Sequence, residues 1–209
     1  MAVTGLFLCF FLVIHLFGNL QLLLPEDRAA EAFNHYSNLL SGNIFIKVIS
    51  YVLYIALVAH AIDGLIVTIK NRRTGATYAF DQRKKTSKWY ARNMGILGTI
   101  LLLFLFIHFK DFWYAYKFGN LPYDAEGNKD LYRIVVNAFR SPWYVVGYTI
   151  AMLALGFHLL QGFKSACRTL GLFHPKYAGY VQIFGRVYSY TITVGFNIIP
   201  IYIYFRQFI

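Results

Sequence analysis

Charge is what this chain has least of. Only 14% of its 209 residues are Asp, Glu, Lys or Arg, against about 25% in a soluble globular domain. Acids are scarcest, with 9 Asp and Glu against 20 Lys and Arg, for a formal charge of +11. The two cysteines, Cys9 and Cys167, form no CxxC, CxxCH or zinc spacing, which argues against iron–sulfur clusters and covalently attached haem in this chain. No GxGxxG or GxxxxGK[ST] occurs, so a nucleotide or flavin has no cradle here. What remains is apolar: 58% hydrophobic and 19% aromatic. The basic residues lie between the apolar runs. That placement fits membrane topology, anionic membrane lipid or an acidic soluble partner, and no nucleic acid.

Five apolar runs cover residues 2–24, 44–69, 94–116, 143–163 and 181–205. Each is long enough, at about 1.5 Å per residue, to cross a bilayer core of about 30 Å. The expected fold is an all-α membrane protein, a single embedded domain over residues 1–209 with five transmembrane helices in a bundle. The first run lacks a small-residue cleavage site and reads as a retained helix. Pro25-Glu26-Asp27 ends it, and a loop to about Asn43 is expected. The richest basic segment holds Lys70, Arg72, Arg73, Arg83, Lys84, Lys85, Lys88 and Arg92 against one acid, Asp81. Lys164, Arg168 and Lys176 form a second. The positive-inside rule puts both in the cytoplasm, with the amino terminus inside and the carboxyl terminus outside. The first basic segment exceeds what orientation needs, and docking of a soluble partner is expected there.

Four of the six histidines lie within these runs, one in each of the first four: His15, His60, His108 and His158. An ionisable group inside a membrane is a functional-site hypothesis by default. His60 lies ten residues before Lys70 and His158 six before Lys164, in the inner half. His15 and His108 lie in the outer half. Two pairs at two depths suit two stacked b haems, each ligated by imidazoles from two helices, because neutral imidazole is a good iron ligand. A hydrogen-bonded structural role accounts for any one of them as well; the pairing is what argues for ligation. Gly18, Gly64, Gly156 and Gly162 leave room for a macrocycle, although small-residue helix packing explains them slightly better. Arg140 is a candidate for an outer propionate, and Arg92, Lys164 and Arg168 for an inner one, with snorkelling to lipid phosphate as the other account. Asp63 reads as a helix-end carboxylate facing the basic loop. Trp89, Trp113 and Trp143 sit at span ends as an aromatic belt.

The order of these features resembles the dihaem cytochrome b subunit of succinate dehydrogenases and fumarate reductases. The likeness covers essentially the whole chain and rests on three local words: His15-Leu-Phe-Gly-Asn-Leu, His60-Ala-Ile-Asp-Gly and Gly156-Phe-His158-Leu-Leu-Gln-Gly. It implies that His60 and His158 hold the haem nearer the soluble subunits, and His15 and His108 the distal one. It further implies a flavoprotein subunit with the dicarboxylate site, an iron–sulfur subunit on the cytoplasmic face, and a quinone substrate, menaquinone above others. The setting would be a bacterial inner membrane, with a role in the respiratory chain and tricarboxylic acid cycle. Dicarboxylate chemistry would lie outside this chain. The basic arm expected before the first helix is missing, so either translation starts upstream of Met1 or Thr4 and later loops do its work. Glu31, His35 and Ser41 are the loop candidates for protonating a quinone. Two other readings stand beside this one. A dihaem cytochrome b of a hydrogenase or formate dehydrogenase would also need intramembrane histidines. A haem-free transporter with a histidine relay is opposed by the lack of an internal repeat.

Overall fold

The structure, a computed structural model, describes residues 1–74 and 88–208. Asp81, Arg83, Lys84 and Lys85, the middle of the basic segment, lie outside the described residues, and so does the docking role expected of them. All regular structure among the described residues is helical, apart from one isolated bridge between Tyr123 and Lys129.

Helix α1 (Ala2–Leu20) runs into a 3-10 turn, Gln21–Leu23. The segment expected as a loop is instead helix α2, Glu26–Gly42. Pro25 stands at its N-cap, and Glu26 and Asp27 in its first turn complement the helix dipole. Ala29 and Phe33, one turn apart, bury its inner face. Helix α3 (Ile44–Thr74) starts where the Asn43 side chain accepts from the amides of Phe45 and Ile46, at 2.9 and 3.3 Å. The short α4 (Trp89–Arg92) precedes α5 (Met94–His108), a π-helical turn (Phe109–Tyr114) and α6 (Ala115–Phe118). Helix α7 (Leu131–Phe139) is capped by Asp130, α8 (Pro142–Thr169) has proline in its first turn, and α9 (Ala178–Arg206) closes the chain.

Four stretches among the described residues are helical, long and apolar enough to cross a membrane: Ala2–Leu23, Ile44–Arg73, Met94–Phe118 and Pro142–Thr169. This is a membrane protein by that measure. Helix α9, where the sequence suggests a fifth span, has 29 residues but carries Gln182, Arg186, Ser189 and Asn197, and is not among the four.

The four apolar stretches pack as a ring. α1 lies against α3 and α8, and α5 lies against the same two, so α1 and α5 face each other across one diagonal and α3 and α8 across the other. α9 runs outside the ring along α8 and α1. At that seam Gly156 lies against Thr193 and Gly185 against Phe163, with no room for a Cβ at either glycine. Large side chains turn outward, such as Phe45 at 77% and Trp143 at 82% exposure, as a lipid-facing surface requires.

One end of the ring is covered by α2 and α7, which pack on each other. Asn34, fully buried, ties this cap together. Its amide donates to Asp124 at 3.2 Å and Asp130 at 3.1 Å, and its carbonyl accepts from the Tyr132 amide at 2.9 Å. Asn34→Ala strands all three, so we expect a loss of about 1–3 kcal/mol, read as a lower thermal midpoint and faster proteolysis in the 119–130 loop. Burial acts to raise the Asp124 carboxyl, but hydrogen bonds from the Asn128 amide, Asn34 and the Glu126 amide outweigh it and hold it below its usual value. A depressed carboxylate adds stability above its unfolded pKa, about 3.9, and loses it as pH falls through the folded value. Protease sensitivity of this loop should therefore stay flat down to about pH 4 and rise only in stronger acid.

Candidate functional site

The two diagonals are where the histidines are. His15 on α1 and His108 at the end of α5 lie with ring centroids 5.8 Å apart, and His60 on α3 and His158 on α8 lie 6.2 Å apart. These are the two pairs expected from depth along the chain. Each pair bridges helices that are not packing neighbours. Gly5 on α1 faces the His60 ring, so ten residues of α1, about 15 Å, separate the two levels.

The surroundings fix the rings. Around the first pair, Phe11 stacks on His15 at 5.2 Å, Phe196 lies 5.6 Å away, and Phe104 stacks on His108 at 5.5 Å. Tyr148 Oη lies 3.3 Å from His108 Nδ1. At the second pair Thr4 Oγ1 lies 3.3 Å from His60 Nδ1 and donates to the Met1 carbonyl at 2.9 Å. A hydroxyl has one proton to give, so Thr4 accepts from Nδ1–H, and His60 keeps its Nε2 lone pair for a ligand. His158 Nδ1 is buried without a hydrogen-bond partner, which costs about 1–3 kcal/mol unless something else binds there.

These observations test the fit of a haem. With centroids 5.8 and 6.2 Å apart, each pair could hold one metal between its rings at about 2 Å per metal–nitrogen bond. No group of three or more His, Cys, Asp or Glu converges among the described residues, so each pair suits a group that brings its other donors with it. A porphyrin does so.

The other expected residues divide. Lys164, with the charges of Arg168 and Lys88 acting on it, forms a basic cluster six residues beyond His158. Arg168 lies over the Phe173 ring at 4.8 Å. Arg92 ends α4, which packs on α8 at the same end. Arg140 is exposed at the C-cap of α7, eight residues before Tyr148 in the chain. Asp63 accepts from the Met1 amino group at 2.8 Å. Gly18 receives the Tyr36 ring and Gly156 receives Thr193, so packing occupies the space at two of the four glycines read as room for a macrocycle; Gly162 borders a histidine ring, as do Gly5 and Gly98. Glu31 and His35 are exposed on α2, while Ser41 meets the Tyr116 hydroxyl at 2.9 Å and helps line a pocket of about 320 Å³ with Lys47, Lys117 and Lys129.

Sequence reasoning passed over Lys110 and Asp111, which follow His108 directly within the third stretch. Asp111 accepts a hydrogen bond from the Tyr144 hydroxyl, Tyr144 stacks on Tyr148 at 6.0 Å, and Tyr148 reaches His108. Two adjacent charges inside an apolar run were the signal. No family model, curated protein or solved structure matches the chain.

Proposed function

We propose that this chain is the membrane cytochrome b of a succinate:quinone oxidoreductase, passing electrons between soluble flavin and iron–sulfur subunits and a membrane quinone. The observation that carries the reading is the pair of histidine couples, each across one diagonal of the ring and each at metal-spanning separation. The succinate assignment rests on the resemblance of the His15, His60 and His158 words to that family. In this reading α9 is the fifth span, with Ser189 buried and Arg186 exposed one turn earlier, and the basic end carrying Lys164 and Arg168 faces the cytoplasm.

His15 and His108 would hold one haem b, and His60 and His158 the other. Bound haem supplies reversible one-electron transfer at iron. The protein's part is to orient and insulate. Thr4 accepts from His60 Nδ1–H and so leaves Nε2 its lone pair, and Tyr148 orients the His108 ring through Nδ1. Phe11, Phe104 and Phe196 keep water from the His15–His108 pair, the deeper-buried of the two. Lys88, Lys164 and Arg168 offer positive charge to propionates at the basic end, and Arg140 at the capped end.

Pyridine haemochrome quantification of the purified chain should find two b haems per polypeptide with low-spin, bis-imidazole spectra. A folded protein that binds one haem at saturation, or none, would sink the proposal.

A further inference from the structure

Lys110 and Asp111 have no part in holding haem, yet they are the most costly residues in the third stretch. Lys110 is eight residues from Phe118, so its Cα lies about 12 Å inside the end of the span. Its side chain is 82% exposed, on a face otherwise made for lipid, and its ammonium lies 3.7 Å from the Asp111 carboxylate, which is 20% exposed. A lipid-facing charge at this depth marks a functional site by default. Here it stands two residues from a histidine of the deeper pair.

The backbone is altered at the same place. The helix opens into a π turn over Phe109–Tyr114, a feature that tends to occur where function needs it. The wider turn sets Phe109, Lys110, Trp113 and Tyr114 around a groove of about 280 Å³ on the outer face of the helix. Its walls are held in place: Trp113 Nε1 donates to Tyr54 Oη at 2.8 Å, and the Phe109 and Trp113 rings meet edge to face at 5.9 Å. Phe109 lies 6.3 Å from the His108 ring. Asp111 is not part of the groove's lining but meets it through Lys110, and from Asp111 the Tyr144, Tyr148 and His108 side chains follow in one line.

We infer that this groove is the quinone site of the function proposed above, on which the inference rests. Its chemistry matches a flat apolar ring that arrives from lipid carrying oxygens that accept hydrogen bonds. The aromatic walls take the ring, Lys110 donates to one quinone oxygen, and Asp111 supplies protons. Reduction of a quinone to its quinol consumes two electrons and two protons. The electrons would be supplied singly by the haem proposed to be held by His15 and His108. For each electron the Lys110 ammonium gives the quinone one proton and is recharged through Asp111, which takes protons from water at the capped end. The pocket of Ser41, Lys47 and Lys129 is the competing location; it sets Tyr116 and Tyr123 among three lysines, and among the described residues no side-chain link joins it to His108.

A photoreactive azidoquinone irradiated with the complete membrane complex, followed by peptide mapping, reads the site without turnover. Label is expected on the peptide carrying Phe109–Tyr114. Asp111→Asn should slow quinone reduction by about 10²-fold, the usual range for loss of a proton donor. Its haem spectrum and dye-linked succinate oxidation should stay at wild-type levels, and Asp111→Glu should recover most of the rate. Label confined to the Ser41–Lys47 pocket, or wild-type quinone turnover in Asp111→Asn, overturns the site. Label in the groove of a chain that binds no haem upholds the site and overturns the electron-transfer role instead.

Discussion

If the chain holds two haems as proposed, His108→Ala is expected to yield a chain that folds and carries half the wild-type haem. His15 and His108 stand 5.8 Å apart on helices that are not packing neighbours, so neither can recruit another imidazole without moving a helix. The His60–His158 pair lies on the other diagonal, one level away, and shares no helix with the first. Loss of one ligand should therefore empty one level only. The alanine cavity is lined by Phe104, Phe112 and Tyr148, and removal of an aromatic-sized buried side chain costs about 3–5 kcal/mol. That is affordable in a bundle held elsewhere by the α8–α9 seam. Quinone reduction should fall below detection while dye-linked succinate oxidation persists. His15→Ala should give the same half-loaded spectrum, and His60→Ala should spare the component that these two remove. If His108→Ala and His60→Ala abolish the same spectral component, the diagonal pairing is wrong.

How the fold was legible follows from what hydropathy can register. The first span, expected at residues 2–24, is Ala2–Leu23, and the fourth, expected at 143–163, is Pro142–Thr169. The fourth overshoots because Lys164 and Arg168 extend the helix into the polar zone rather than end it. Histidine depths translated directly into partners, since a helix rises by a constant amount per residue. Segments whose order comes from partners elsewhere did not show. α2 has too few apolar residues to register as a span, and its helix depends on Asn34 reaching Asp124 and Asp130, some ninety residues away. The glycines near the histidines carried no mark of which neighbour would fill them, and Tyr36 and Thr193 did. Thr4 and Tyr148 could not be picked out among many hydroxyls, because only the folded ring brings them to Nδ1. Lys110 and Asp111 were readable as charges in an apolar run, but the π turn that gives them a groove was not.

In energised vesicles, an uncoupler is expected to slow succinate-to-quinone electron flow several-fold while leaving succinate oxidation with a soluble dye unchanged. The prediction follows from the two levels. Electrons enter, in the proposed orientation, at the basic end beside His60 and His158 and leave at the capped end beside His108 and Asp111. They travel from the negative to the positive side of a resting membrane, so the field draws them across. One elementary charge crossing the full potential gains about 2.3 kcal/mol per 100 mV, and the pair needed for one quinone gains about 4.6. Two histidine levels about 15 Å apart span only part of a core of about 30 Å, so the electron path between them collects part of that gain. Protons drawn to Asp111 from the capped side account for charge movement over the rest. A low-potential quinone such as menaquinone accepts electrons from succinate unfavourably, and this contribution is of the right size to reverse the balance. Collapsing the field removes it. Asp111→Asn should then be slow with or without uncoupler, because its block precedes the field-assisted step's completion. A wild-type complex indifferent to the uncoupler would place quinone reduction at the basic end, beside His60 and His158, and would count against both the groove and the direction of flow.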